Sequence, residues 1–396
     1  MKSLRKILPL LDYCTRHSFE LTRRQLVKGG VGGGVLAVCS SGLATLAGSA
    51  TAHAGIGKGM SSGHCDNLVP AAAGGPAPAD RNVISLRWLG CACFELVYRN
   101  QVIVLDTWYD RPLCRDIGLT PQQVTRANLI VIGHAHFDHI ADAASIALRT
   151  GATVIADQTI GNGVLLGQGL PARQIRAVNG LGGELMRFNG FTVQPILAHH
   201  SVAPTSVNGE GETAGQEVAD IFLALLDPPP TSTDLEAAAT VVARGSLDPR
   251  ILTQGTIAYL FTFDSGYRLM WLDSAGPITP TLQAAMETIK STNLAIVGYQ
   301  VQAFPRFQVP VTMQLVELFN PDLFFPAHHD ELLSSLDGKS LLAAPDMATE
   351  PLFLAIRDAL PKTRMVSALY RTPVLVDIRN GEFSVGDECE FDALRH

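Results

Sequence analysis

The sequence predicts a mixed α+β fold in which two β-sheets pack face to face and helices cover their outer surfaces. Two patterns favour this class: apolar hairpins open each half of the chain, and helix-period segments separate the later strands. A chain of 396 residues with 47% hydrophobic and 17% charged residues is also typical of a globular protein with a large core.

The first half of the predicted fold starts near Val83. The apolar stretches VISLRWLG, FELVYR and QVIVLD predict strands, with a tight turn at Arg99-Asn100. NLIVIG and ATVIAD predict buried strands, and between them IADAASIALRTG has a helical periodicity that ends at Gly151. Residues 55–81 are rich in Gly, Ala and Pro without periodicity, so we interpret them as a linker to a domain spanning 82–396.

The second half repeats this layout. Hairpins are predicted around Asn189-Gly190 and Ser265-Gly266, and they precede alternating helices (TLQAAMETIK, VTMQLVELF, PLFLAIRDAL) and strands (LAIVG, DLFFPA). Residues 202–255 form an insertion with a glycine-rich segment, three consecutive prolines and a short predicted helix, DLEAAATVVARG. Because the insertion follows a candidate ligand directly, we interpret it as a lid over a site.

The first 54 residues have the layout of an export signal. A positively charged stretch ends in LTRRQLVKGG, an apolar stretch follows, and Ala52-His53-Ala54 is a small-residue cleavage site. The Arg23-Arg24 pair resembles a twin-arginine signal, which predicts that the twin-arginine export machinery delivers the folded protein to the periplasm or outside the cell. A retained membrane anchor is the alternative, but the many glycines make a poor helix, so we expect no stable span after cleavage.

The charge balance narrows the classes of partner. The net charge is −7, and residues 1–54 hold seven Lys and Arg against two Asp and Glu. The remainder therefore holds 23 basic against 35 acidic residues, a net charge of −12. Such a surface repels nucleic acid, so we expect a small-molecule substrate instead.

The decapeptide GHAHFDHIAD, residues 133–142, contains three of the 11 histidines in the chain. His134 and His136 lie two residues apart at a strand end, so their side chains point the same way, and Asp138 and His139 follow in the turn. Imidazole and carboxylate groups are good ligands for zinc-like ions. Four donors within six residues cannot all bind one ion comfortably, and the segment therefore predicts two ions.

Further donors are expected at the ends of other strands, in LAHHS, WLDSAG and FPAHHDE. Neighbouring residues in a strand face opposite sides, so only one histidine of each pair can reach a shared ion. We favour His200, beside Ser201, and place His199 in the core or behind the ligands, whereas alternation alone does not choose between His328 and His329. Asp273 is favoured over Asp264, which falls on a predicted turn. Asp106 ends the strand QVIVLD and either supports a ligand histidine or caps the strand.

At this point the chain resembles the metallo-β-lactamase superfamily, whose signature is the H-x-H-x-D-H pattern. The later His, Asp and His follow in the family's order, so the resemblance covers about Val83 to Ile378. It implies a four-layer αββα sandwich. It also implies that His134, His136 and His200 hold one metal, that Asp138, His139 and His328 hold the other, and that Asp273 bridges them. WLG, VLD, AHHS and PAHHD look most like the lactonase-like and phospholipase-D-like branch.

The resemblance implies a hydrolase with two Zn²⁺ ions, or Mn²⁺ or Fe²⁺, whose nucleophile is a hydroxide held between the ions. Asp138 would orient that nucleophile, and an ester, lactone, amide or phosphodiester would be cleaved. The alternatives are a mono-iron, persulfide-oxidising protein of the same fold and a metal-binding protein without turnover. The GHAxF stretch of many relatives reads GCACF here, and we interpret Cys91 as a core residue, with a pocket-wall position as the alternative.

Overall fold

A computed structural model describes residues 68–113, 119–201, 230–299, 305–330, 345–366, 368 and 370–386. The strands are β1 (Val83–Trp88), β2 (Phe94–Tyr98), β3 (Gln101–Leu105), β4 (Leu129–Val131), β5 (Thr153–Asp157), β6 (Ile175–Val178), β7 (Met186–Arg187), β8 (Phe191–Ala198), β9 (Thr256–Phe263), β10 (Arg268–Leu272), β11 (Leu294–Gly298), β12 (Leu323–Ala327), β13 (Arg364–Met365), β14 (Val374–Asp377) and β15 (Phe383–Val385). The α-helices are α1 (Phe137–Ile140), α2 (Ala143–Thr150), α3 (Ile160–Gly167), α4 (Ser232–Val242), α5 (Ile251–Gln254), α6 (Pro280–Ile289), α7 (Pro305–Phe319) and α8 (Pro345–Ala359).

The strands form two mixed sheets with similar designs. The first has the order β15-β14-β1-β2-β3-β4-β5-β6, and the second has the order β13-β12-β11-β10-β9-β8-β7. In each sheet, hairpin strands pair antiparallel on one side, and strands joined through helices pair parallel on the other. Parallel strands need a crossover connection, so the alternation of hairpins and helices along the chain sets this layout.

Two apolar clusters hold the layers together. The larger lies between the sheets and continues under α2 and α3, and it includes Phe94, Ile130, Tyr259 and Trp271, all fully buried or nearly so. The smaller lies between the second sheet and helices α6, α7 and α8. Each sheet is therefore covered on its outer face by helices, and the predicted four-layer αββα sandwich is confirmed.

The residues before β1 pack onto the first sheet. Of the predicted linker, the structure describes Leu68 onward, and Leu68, Ala71 and Ala72 are buried. The backbone N–H groups of Ala71 and Ala72 donate to the carboxylate of Glu95, 3.1 and 2.5 Å away, and Arg87 pairs with the same carboxylate at 2.7 Å. The last part of the Gly/Ala/Pro-rich stretch thus covers a buried ion pair, since Glu95 needs partners away from water.

The backbone angles at two of the three predicted turns and helix ends agree with the residues found there. Arg99 and Asn100, which join β2 and β3, both have positive φ, +47° and +63°, as a type I′ turn requires. Gly151 ends α2 at φ +77°, as predicted. Between β7 and β8, among the described backbone angles, Gly190 takes φ +91° while Asn189 has no positive φ, so this turn is not the type I′ that an Asn-Gly pair predicts.

Several predicted features fall outside the described residues. These are the export signal (1–54), the start of the linker (55–67) and part of the insertion (202–229). The helix predicted in the insertion is α4, Ser232–Val242, whose N-terminus is capped by Thr231. Within the described ranges, no helix combines the length and apolar character that a bilayer crossing requires.

Candidate metal centre

The predicted donors all follow the carboxyl ends of strands. His134 and His136 lie in the loop after β4, and Asp138 and His139 belong to α1. His200 follows β8, while Asp273 and His328 directly follow β10 and β12. Because β8, β10 and β12 run in the same direction, these donors meet at one edge of the second sheet, where the loop after β4 also lies.

One group of donors is the three-histidine set, His134, His136 and His200. Its ring nitrogens include ligand atoms that lie within 4.8 Å of one another. His134 Nε2 lies 2.8 Å from His136 Nδ1, and the His200 ring centroid is 4.6 Å from that of His134 and 4.7 Å from that of His136. All three side chains are buried, so their nitrogens converge on one enclosed point.

A second group is the mixed set, Asp138, His139 and His328. Asp138 Oδ2 lies 3.3 Å from His139 Nε2 and 3.2 Å from His328 Nε2. Nitrogen or oxygen ligands at about 2.0 Å from a tetrahedral ion are separated by roughly 3.3 Å. The spacing in the mixed set therefore suits a metal ion without rearrangement.

Asp273 lies between the two sets. Its Oδ2 is 2.6 Å from His134 Nδ1 and 3.2 Å from His139 Nδ1, so it contacts one histidine of each set. Asp273 Oδ1 and Asp138 Oδ1 have no hydrogen-bond partner among the described residues, although both carboxylates are buried. A buried polar atom without a partner costs about 1–3 kcal/mol, and a bound cation would remove that cost.

The charges of the donors are set by the cluster itself. Burial alone would favour the neutral acids, but neighbouring imidazoles hold the pKa of Asp138 and of Asp273 below its ordinary value. Burial lowers the pKa of His136 well below its ordinary value, and two nearby imidazoles lower it further. Burial would also lower the pKa of His139, but the surrounding carboxylates raise it well above its ordinary value. Ionised carboxylates and neutral imidazole are the forms that bind metal ions, so His139 has to release a proton when an ion binds.

Asp106 supports the centre from behind. It follows β3 with φ +53°, its Oδ1 accepts a hydrogen bond from Gly133 N at 2.9 Å, and its Oδ2 lies 2.6 Å from His139 Nδ1. With its Nδ1 proton directed to Asp106, the His139 ring presents Nε2 to the mixed set. The carboxylate thus fixes both the orientation and the tautomer of His139.

We expect Asp106→Asn to weaken metal binding by roughly 10- to 100-fold, the usual effect of losing such a partner. Asparagine tolerates positive φ, so the backbone is kept, but an amide that still accepts from Gly133 presents its NH₂ group to His139. Competition with a chromophoric zinc chelator measures the affinity. Asp358→Asn, whose parent side chain is 73% exposed, serves as the control. Wild-type affinity in Asp106→Asn would leave Asp106 as a strand-end cap.

The alternatives to three of the predicted ligands do not belong to either donor set. His199 is half-buried and belongs to none of the described donor clusters. His329 is buried and stacks on Trp88 with ring centroids 4.1 Å apart, and burial lowers its pKa to about 4. Asp264 lies on the turn after β9 and pairs with Arg99 at 2.6 Å.

Three residues frame the mixed set: sequence analysis missed Asp330 and Arg111, and it interpreted Cys91 as a core residue. Asp330 accepts hydrogen bonds from Cys91 N at 2.9 Å and pairs with Arg111 at 3.1 Å, in a fully buried contact. Cys91 Sγ lies 3.7 Å from Asp138 Oδ2 and joins the mixed set as a fourth donor atom within 4.8 Å of the others. For Cys91 the one signal in the sequence was the stretch GCACF, which sequence analysis noted as a departure without assigning the thiol to a metal ion.

The end of the insertion, residues 244–246, packs directly on the H-x-H-x-D-H segment. Ser246 N donates to Ala135 O at 2.8 Å, and Gly245 lies so close that a Cβ there would be 2.3 Å from Phe137 N. Arg244 pairs with Asp142 at 2.8 Å and also with Asp110. This segment therefore forms part of the wall around His136.

The chain matches no protein-family model. A UPF0173 metal-dependent hydrolase of Anaeromyxobacter dehalogenans (strain 2CP-C) is 30% identical over 147 residues, which are 36% of this chain and 53% of that protein. A UPF0173 metal-dependent hydrolase of Thermodesulfovibrio yellowstonii is 29% identical over 122 residues, 30% of this chain and 46% of that protein. The chain thus spans about half the length of the curated relatives it matches. Among solved structures, Igni18, described as a novel metallo hydrolase from the archaeon Ignicoccus hospitalis, aligns with a TM-score of 0.46 and 16% identity over 78% of this chain and 100% of that chain.

Proposed function

We propose that the protein is a metal-dependent hydrolase with a dinuclear centre, in which each donor set holds one ion and Asp273 bridges the two. The observation that carries the proposal is the convergence of the three-histidine set and the mixed set on either side of one buried carboxylate. Relatives that share about a third of the chain are named metal-dependent hydrolases, which supports the same class of reaction.

When bound, ions of this kind supply Lewis acidity, which lowers the pKa of water to near neutrality and stabilises negative charge on a substrate oxygen. The protein's own contribution is to hold the ions and to position the attacking water. Asp138 is ionised because the neighbouring imidazoles outweigh its burial, and its Oδ1 has no partner among the described residues. We assign to Asp138, as an ionised carboxylate that also binds its ion, the orientation of the attacking water.

The substrate class we propose is a small molecule with an ester, lactone, amide or phosphodiester bond. Imidazole and carboxylate donors suit zinc, and Mn²⁺ or Fe²⁺ would fit the same ligand types less selectively. The acidic chain disfavours nucleic acid as a partner. We also propose export through the twin-arginine machinery to the periplasm or outside the cell. This part of the proposal rests on the N-terminal sequence pattern alone.

The proposal is tested by metal analysis of the purified full chain and by hydrolysis assays on a lactone, an aryl ester and a bis-aryl phosphodiester. We expect about two equivalents of a divalent metal, activity on one of these bonds, loss of that activity on chelation and recovery when Zn²⁺ is restored. Asp138→Asn should lower kcat by roughly 10²-fold, because misplacing a reacting group by about 1 Å already costs that much and the neutral amide both orients the water and binds the ion less well. Asp248→Asn, a change in a surface pair with Arg250, should not.

Other outcomes of the same experiment would overturn the proposal. Activity that survives both chelation and Asp138→Asn would exclude a metal-dependent mechanism. One equivalent of iron with oxygen consumption on a persulfide would favour the mono-iron alternative. Bound metal without turnover on any of the substrates, together with no exchangeable water ligand, would favour a binding protein.

A further inference from the structure

Cys91 lies in the loop between β1 and β2 and is fully buried, as expected for a core residue. Its side chain nevertheless faces the mixed set rather than apolar neighbours alone. Cys91 Sγ lies 3.7 Å from Asp138 Oδ2, and it shares one cluster with ligand atoms of Asp138, His139 and His328, all within 4.8 Å of one another. The other oxygen of the Asp138 carboxylate, Oδ1, is buried and has no hydrogen-bond partner among the described residues.

The backbone at Cys91 is held in a conformation that L residues rarely adopt. Its φ is +51°, which costs on the order of 1–3 kcal/mol and persists only where surrounding contacts enforce it. Cys91 N donates to the Asp330 carboxylate, which Arg111 pairs in turn. Cys91 O accepts hydrogen bonds from Trp88 Nε1 and from His328 N, both at 2.8 Å. The network thus fixes the thiol and connects it directly to the backbone of His328.

We propose that Cys91 binds, as a thiolate, the ion held by the mixed set. This inference rests on the proposed metal centre and adds a ligand to it. A sulfur at about 2.3 Å and an oxygen at about 2.0 Å from a tetrahedral ion are roughly 3.5 Å apart. The observed 3.7 Å between Cys91 Sγ and Asp138 Oδ2 is close to that separation. Two edges of the same tetrahedron, 3.2 and 3.3 Å, are present already.

The thiolate would make the two metal positions chemically different. Counting the Asp273 bridge, the mixed set with Cys91 supplies five protein donors, the most that zinc usually takes, whereas the three-histidine set supplies four and leaves room for a fifth ligand. Soft sulfur favours zinc over Mn²⁺, which prefers oxygen ligands. The mixed position is therefore expected to hold zinc firmly, and the three-histidine position is the one open to a substrate or to exchange with solvent.

A plain thiol in contact with Asp138 is the competing account. Burial, and after it the Asp138 carboxylate, raises the pKa of Cys91, so the metal-free protein carries a protonated thiol that can donate to Asp138. Cys93 provides a matched comparison, because it is equally buried but directs Sγ to the backbone of Trp108, 3.3 Å from its N. Only a ligand role predicts a sulfur–metal bond at Cys91 and none at Cys93.

The test is Co²⁺ substitution of the full chain, followed in the visible and near-ultraviolet ranges. We expect visible cobalt bands together with a sulfur-to-cobalt charge-transfer band that is lost in Cys91→Ser and kept in Cys93→Ser. We also expect Cys91→Ser to lose its preference for Zn²⁺ over Mn²⁺ at one of two sites, as measured by competition. X-ray absorption of the zinc-loaded wild type should show sulfur scattering at about 2.3 Å, a readout that does not depend on folding of the variant.

The outcomes separate this inference from the proposed function. A protein that binds no Co²⁺ at all would overturn both. Cobalt bound with visible bands, but without a charge-transfer band or sulfur scattering, would overturn the Cys91 inference and leave the metal centre standing. A charge-transfer band that persists in Cys91→Ser would assign the sulfur to another cysteine and would also overturn the inference.

Discussion

Asp273→Asn is expected to lower hydrolysis on the order of 10³-fold, because Lewis-acid stabilisation worth several kcal/mol depends on both ions staying in place. The Asp273 carboxylate contacts a histidine of each donor set, at 2.6 Å to His134 and 3.2 Å to His139. An amide lacks the charge that two neighbouring cations require. The variant should therefore bind one metal equivalent instead of two.

The measurement combines metal content after dialysis with kcat on whichever bond the wild type hydrolyses. Asp264→Asn is the matched control, since Asp264 lies at the other end of the same hairpin and pairs on the surface with Arg99. That control should keep two metal equivalents and wild-type kcat. Two equivalents and full activity in Asp273→Asn would remove the bridging role of Asp273 and would mean that the two donor sets hold their ions without it.

The sequence predicts much of the fold because its signals are local. Alternating or continuous apolar residues predict β1 to β5 and the two later hairpins, and Gly151 predicts the end of α2. Helix α3 escapes prediction since it contains three glycines, which weaken helix propensity. The carboxylate of Asp157 compensates by accepting the backbone N–H groups of Ile160 and Gly161 at the start of that helix.

The candidate site is predictable where donors share a strand end and less so where they depend on packing. The H-x-H-x-D-H spacing and the strand-end positions of His200, Asp273 and His328 are visible in the chain, and the structure brings these donors together. The alignment of Cys91 depends on Asp330, which is 239 residues away, and on the positive φ of its own backbone. No local pattern encodes a contact of that range.

The close packing of Gly133 against Asp273 leads to the last prediction. A Cβ at Gly133 would lie 2.1 Å from both Cγ and Oδ2 of Asp273. Gly133 cannot retreat easily, because its N donates to Asp106 at 2.9 Å and its O accepts from Ile257 N at 2.8 Å. The carboxylate must move instead, away from His134 and His139. Gly133→Ala is therefore expected to destabilise the metal-free protein by about 1–3 kcal/mol and to abolish tight metal binding.

Gly163→Ala in α3 is the matched control, since Gly163 is exposed and has no atom within 4 Å of a built Cβ. Alanine there should stabilise the protein by about 0.5–1 kcal/mol, because it restricts the unfolded chain and suits a helix. Urea unfolding with and without Zn²⁺ measures both variants. Zinc should raise the midpoint of wild type and Gly163→Ala alike and leave that of Gly133→Ala nearly unchanged. If Zn²⁺ raised the urea midpoint of Gly133→Ala as much as that of wild type, the Asp273 carboxylate could move without loss of the ions. Metal binding would then not depend on the present position of that carboxylate.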